Sequence, residues 1–220
     1  MKSLLFVFLS IPAFSCVGQS SFQIRSFDSL DVLQELNSLR TNYGARLEIP
    51  ANYELSALKA LSFYPELIEH HIEFKEARIK TTLNARPTIW SLFFRRKEKR
   101  HYVVRINTRK KDSLVTLSEV PFNAQVGVLG HEFGHFSDYS RRSFFGVLQR
   151  LFAYGSKKKK EAFEKEIDAF TIQKGLGWQL YAWSHFVLYS SDATEKYKDF
   201  KRLIYLEPEE ITPLIQNNNE

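Results

Sequence analysis

The sequence predicts an α+β fold: a small mixed sheet, then one long helix, then a helical C-terminal half. Three observations carry that expectation. Alternating or continuous apolar runs suited to strands fall between residues 72 and 119. From Pro121 onward the apolar positions recur instead at helical spacing. The chain holds a single cysteine, Cys16, so no disulfide framework is available and a hydrophobic core must hold the fold.

The chain opens Met-Lys-Ser, and residues 4–14 are almost wholly apolar before Ser15, Cys16, Val17 and Gly18. That layout predicts a secretory signal peptide over residues 1–18, cleaved after Gly18, and one domain over residues 19–220. The product is then exported, periplasmic or secreted. The alternative is a lipid anchor on Cys16, for which residues 13–16 are an imperfect lipobox. The apolar core is too short for a comfortable membrane span.

Helical spacing covers residues 28–40 and 52–64. Strand patterns cover 72–83, 88–94 and 101–108, with 112–119 as a further short strand. Residues 95–100 then form an exposed hairpin tip. Basic residues cluster at 95–100, 109–111, 141–142 and 157–160, and the formal net charge is +6. Such runs read as solvated turns. Between the last two clusters lie Phe144, Phe145, Val147, Leu148, Leu151 and Phe152. This segment is either an amphipathic helix packed on the core or a peripheral contact with an anionic membrane. Nucleic acid is a poor partner for an exported chain with no binding motif.

Residues 131–135 read His-Glu-Phe-Gly-His. On a helix, positions four apart share a face, so His131 and His135 can offer imidazole nitrogens to one zinc ion, with Glu132 beside the water. Taking His131 as zero, Val126, Leu129, Phe133 and Phe136 fall between about 140° and 220° on the helical wheel, an apolar stripe opposite the histidines. Ala124, Gly127, Val128 and Gly134 lie near the histidines and would let another element come close. Asp138 follows on the same face, where bonding to local groups suits it better than ligation.

Two histidines need a third protein ligand and an open position for water. In residues 161–170, Glu164 and Asp168 share a face, with Phe163, Ile167 and Phe170 forming the apolar edge. Glu164 is the expected third ligand, and Glu161 is the reserve. Asp168 would hold the far nitrogen of a ligand histidine, and Glu166 points to solvent. These parts point to Zn2+-dependent hydrolysis of a peptide or protein substrate, with Glu132 as general base. A further donor should stabilise the oxyanion, and His185, Tyr181 and Tyr189, which share a helical face, are the candidates. The alternative for those rings is ordinary packing.

A His-Glu-x-x-His helix followed by a second helix with Glu-x-Glu-x-Asp-Ala-Phe resembles the gluzincin group of zinc metallopeptidases. Within that group it is most similar to the branch with the heat-shock and CAAX-processing membrane endopeptidases. The likeness spans residues 124–170 and implies a zincin-like fold. It also implies His131, His135 and Glu164 as ligands, Glu132 as base and Asp168 as support for the first helix. The several membrane spans of those proteases have no counterpart here. Similar peptidases lay an edge strand along the substrate, and residues 101–108 are the expected edge. A metzincin pattern fails, because Arg141 stands where its third ligand would be and Met1 is the only methionine. The second class of function is a zinc-stapled surface or membrane-associated interaction protein without turnover.

Overall fold

The computed structural model describes residues 23–109 and 114–218. The expected leader, with Gly18 and Cys16, lies outside the described residues, as do parts of the 109–111 cluster and of the C-terminal tail.

The helix expected over 28–40 forms as two, α1 (Ser29–Gln34) and α2 (Leu36–Tyr43). Asp28 caps the first by accepting the Leu30 amide at 2.7 Å. The ladder tightens at Glu35, whose amide is shared between the Asp31 and Val32 carbonyls. A two-residue strand, β1 (Leu47–Glu48), precedes α3 (Ala51–Leu61), which Pro50 introduces.

The expected strand over 72–83 ends early. β2 (His71–Ala77) stops at Ala77, the chain turns over residues 78–82, and β3 (Leu83–Pro87) begins where a strand end was expected. Residues 88–94 correct the expectation outright: they form a short helix, α4 (Ile89–Phe94), not a strand. Thr88 caps it by accepting the Ser91 amide at 3.4 Å. A short apolar run fits either element, and here the cap decides.

β4 (His101–Asn107) pairs parallel with β2 and antiparallel with β3, giving the sheet order β1-β2-β4-β3. It is the inner strand, so residues 101–108 cannot be the substrate-binding edge. Its near-continuous apolar run, with Tyr102 and Val104 fully buried, is what a strand covered on both faces requires. The edge strands are β1 and β3. Residues 95–100 are not a hairpin tip either, because α4 precedes them. Arg95 to Lys99 are exposed, but Arg100 is buried and donates to the Tyr139 and Arg142 carbonyls at 2.8 and 2.9 Å. It thereby satisfies carbonyls at the end of the next long helix. In place of the strand expected over 112–119, the described part carries a single tight turn, Leu117–Glu119, closed by a Thr116–Glu119 capping box.

The C-terminal half is helical: α5 (Phe122–Arg141), α6 (Phe144–Ala153), α7 (Lys157–Thr171), α8 (Gly177–His185), α9 (Glu195–Ile204) and α10 (Pro208–Asn217). α5 is buried along most of its length. Its apolar stripe meets the sheet through Phe136 stacked on Tyr102, ring centroids 4.5 Å apart, and Phe133 edge-on to Phe74. Across α5, α8 comes so close at Gly127 that a β-carbon there would sit 2.0 Å from the Gln179 carbonyl oxygen. Between α7 and α8 the chain bends at Gly175, whose φ of 98° only glycine adopts freely. That bend lets α7 and α8 both lie against α5.

Candidate metal centre

α5 presents His131 and His135 one turn apart, and α7 crosses them with Glu164 and Asp168. All four side chains are buried, at 4%, 3%, 3% and 2% exposure. The Phe163 and Ile167 flank of α7 is buried too, which fixes the rotation of that helix and aims Glu164 inward.

Three donor atoms converge. The Oε2 of Glu164 lies 3.1 Å from His131 Nε2 and 3.2 Å from His135 Nε2, and the two Nε2 atoms are 3.2 Å apart. Behind them, Asp168 Oδ1 lies 2.7 Å from His131 Nδ1. A neutral His131 that donates Nδ1–H to Asp168 has a bare lone pair at Nε2. That lone pair faces the acceptor oxygen of Glu164. Acceptor against acceptor at this range repels unless a proton or a cation lies between them. The donor set of two imidazoles and one carboxylate therefore fits a metal ion, and His131, His135 and Glu164 could hold one.

The protonation equilibria say the same in other terms. Burial opposes a charge on His131, but Asp168 and Glu164 outweigh it and raise the imidazole to about 10. Burial also opposes the Glu164 charge, yet the two histidines hold its carboxyl well below the usual range. Without a metal, protons occupy the space between these groups; a bound cation would displace them.

Asp168 has a second task. Its Oδ2 accepts the Leu206 amide at 2.9 Å, so one carboxylate ties a ligand histidine to the segment between α9 and α10. That segment carries Tyr205, whose ring centroid is 5.5 Å from that of His131. Burial, and then the Glu164 and Glu132 charges, push the Tyr205 hydroxyl well above its ordinary value.

Glu132 is buried at 7% exposure and lines a narrow cleft with Thr82, Leu83, Trp183, Lys201 and Tyr205. Its carboxylate takes part in no hydrogen bond among the described residues. Burial raises its pKa, with Glu164 adding to the rise and the histidines opposing it. Lys201 is buried at 9% exposure without a carboxylate in ion-pair range among the described residues. Its Nζ lies 4.2 Å from the Tyr205 ring centroid and 5.5 Å from those of Trp183 and Tyr197.

The expected oxyanion donors are not brought to this site. His185, Tyr181 and Tyr189 lie on the outer face of α8 and its continuation; His185 and Tyr181 line a separate groove with Arg25 and Trp178. The residues of α8 that reach the cleft are Leu180, Trp183 and Ser184. Asp138 is bound to Arg142 at 2.7 Å and to Arg150 at 3.2 Å, away from the three donors. Glu166 also pairs with Arg150. Glu161 is only near Lys165, at 3.9 Å, and stays outside the cluster. Tyr205 and Lys201 escaped sequence reading, although Tyr197, Lys201 and Tyr205 recur at four-residue intervals and so mark one helical face.

No family model matches the chain, and no curated protein or solved structure compared with it matches.

Proposed function

We propose that the chain is an exported, zincin-like zinc peptidase that hydrolyses a peptide or protein substrate in the cleft beside Glu132. The observation that carries this reading is the convergence of three lone-pair donors next to a buried carboxylate that is bound to none of them. Two imidazoles and one carboxylate make a donor set that zinc accepts in hydrolytic sites, and three protein donors leave a position for water. When bound there, zinc supplies Lewis acidity and a water of lowered pKa.

The side chains then have distinct tasks. Glu132 accepts the proton of the attacking water and passes it to the leaving amine, and its raised pKa brings it nearer neutrality, where such exchange is efficient. Tyr205 and Lys201 line the same cleft and supply the donors for a developing oxyanion, in place of His185. β3, the edge strand whose start at Leu83 borders the cleft, is the element to which an extended substrate would add. Asp168 holds His131 in the tautomer that leaves Nε2 free for the metal.

The test compares the zinc-loaded protein with Glu132→Gln in a broad peptide library. Cleavage should fall by about 10²- to 10⁴-fold in the variant while zinc content and folding are unchanged. A zinc-loaded, unmutated protein that cleaves no peptide would overturn the reading.

A further inference from the structure

The cleft uses none of the aromatic side chains that α4 and α6 hold in water. Trp90, Phe93 and Phe94 are 72%, 59% and 68% exposed, and Phe145 and Phe152 are 78% and 75% exposed. These rings are not scattered. Centroid contacts run from Trp90 to Phe94 at 4.2 Å, Phe94 to Phe93 at 6.4 Å, Phe93 to Phe144 at 4.9 Å and Phe144 to Phe145 at 5.3 Å. Two helices distant in sequence therefore form one continuous aromatic face, and Phe152 lies two turns along α6 from Phe145. Single exposed rings need no explanation, but a contiguous face of this kind marks a binding surface.

The charge around the face is one-sided. Residues 88–100 hold five Lys or Arg and one Glu, and residues 141–160 hold seven Lys or Arg and no acid. The net charge of these two stretches is +4 and +7, together +11, whereas the whole chain has +6; everything else sums to −5. Some of the cations are engaged: Arg100 on backbone carbonyls, Arg142 and Arg150 on Asp138. Arg96, Lys99, Lys157, Lys158 and Lys159 are exposed and in no ion pair among the described residues. Acids on or beside these segments are paired, Asp138 with Arg142 and Arg150, Glu166 with Arg150 and Glu98 with Lys97.

We propose that the α4–α6 face docks on an anionic lipid surface. The rings enter the boundary between headgroups and acyl chains, while the free lysines and arginines meet lipid phosphates. No described helix is long and apolar enough to cross a membrane. Charge also selects the occupant. A second copy of the chain would set two strongly basic faces against each other. Residues 4–14 could cover the rings but hold no acid to meet the basic rim.

The experiment measures binding of the full chain to phosphatidylcholine vesicles with and without phosphatidylglycerol, by co-sedimentation and tryptophan emission. Binding should require the anionic lipid, weaken with added salt and shift the emission to the blue, and Trp90→Phe should remove most of that shift. Replacing Lys157, Lys158 and Lys159 together by Gln should lower the partition constant on the order of a hundredfold. Phe145→Ser with Phe152→Ser should lower it about tenfold or more. Far-UV circular dichroism checks the fold of each variant, and the exposed lysine set keeps the test valid if the Phe pair disturbs it. Equal binding to both vesicle types, or unchanged binding by the lysine and Phe variants, would overturn the proposal. So would a dimer that Phe145→Ser dissociates in the absence of any lipid binding.

Discussion

Where α5 meets α7, acids and imidazoles are buried; on the α4–α6 face, aromatic rings are exposed. Both regions invert the ordinary partition of polar outside and apolar inside. They do so with opposite consequences for the chain on its own. The buried cluster is locked by short contacts through His131, His135, Glu164 and Asp168, so disturbing it should be costly even without a metal. The exposed face makes few contacts, so changing it should cost the fold little. The difference separates a site built into the core from a surface that gains its energy only from something outside the chain.

The contrast can be broken most forcefully at its buried end. Glu164→Ala leaves the two histidines facing each other and should lower the unfolding free energy of the metal-free protein by about 3–5 kcal/mol, measured by denaturant titration. A loss no larger than that of an exposed substitution would mean the cluster is not a coupled unit. A step smaller is Asp168→Asn, which keeps the shape but weakens the hold on His131 Nδ1. Zinc affinity should drop about 10- to 100-fold in a competition titration, while far-UV dichroism is unchanged.

The buried cluster should also respond to pH, which the exposed rings cannot. The folded-state value of His131, about 10, lies above its ordinary 6.5, so its stabilisation is complete below 6.5 and is lost as pH rises through about 10. Glu164 lies below its ordinary 4.5, so its share is present above 4.5 and is lost as pH falls. The metal-free protein should therefore melt highest between about 4.5 and 6.5 and lose stability toward alkaline pH. Added zinc should reverse the trend, because protons compete with the metal for His131. Melting curves from pH 4.5 to about 10, with and without zinc, provide the check; parallel curves would contradict it. The smallest effect belongs to the exposed face. Without lipid, Phe145→Ser should change stability by no more than about 0.5 kcal/mol, whereas Phe136→Ala, buried against Tyr102, should cost about 3–5 kcal/mol.

Sequence reading went furthest where one helix settles the geometry. The spacing of His131 and His135, and of Glu164 and Asp168, needs only the 3.6-residue period, and burial of Phe163 and Ile167 supplies the rotation. Period alone does not say which face turns inward. In α8 two faces are equally regular: Tyr181 and His185 on one, Leu180, Trp183 and Ser184 on the other. Only the approach of α5 at Gly127 decides between them. Strand order failed for a related reason. The apolar pattern of β4 is compatible with burial on both faces, but its two neighbours depend on the turn after Ala77, where the Ile79 amide donates to the distant Asn107 side chain, and on the helix that Thr88 caps. The spacing of Tyr197, Lys201 and Tyr205 marks a common face but not the cleft it meets; that depends on tertiary contacts such as the Leu206 amide held by Asp168.

Three side chains from two helices are placed to hold one divalent cation. Calorimetric titration of the metal-free protein with zinc, beside elemental analysis of the purified chain, tests this directly. About one zinc per chain is expected, with binding lost in His135→Ala and in Glu164→Gln. Substoichiometric metal, or zinc binding that both substitutions leave unchanged, would contradict it.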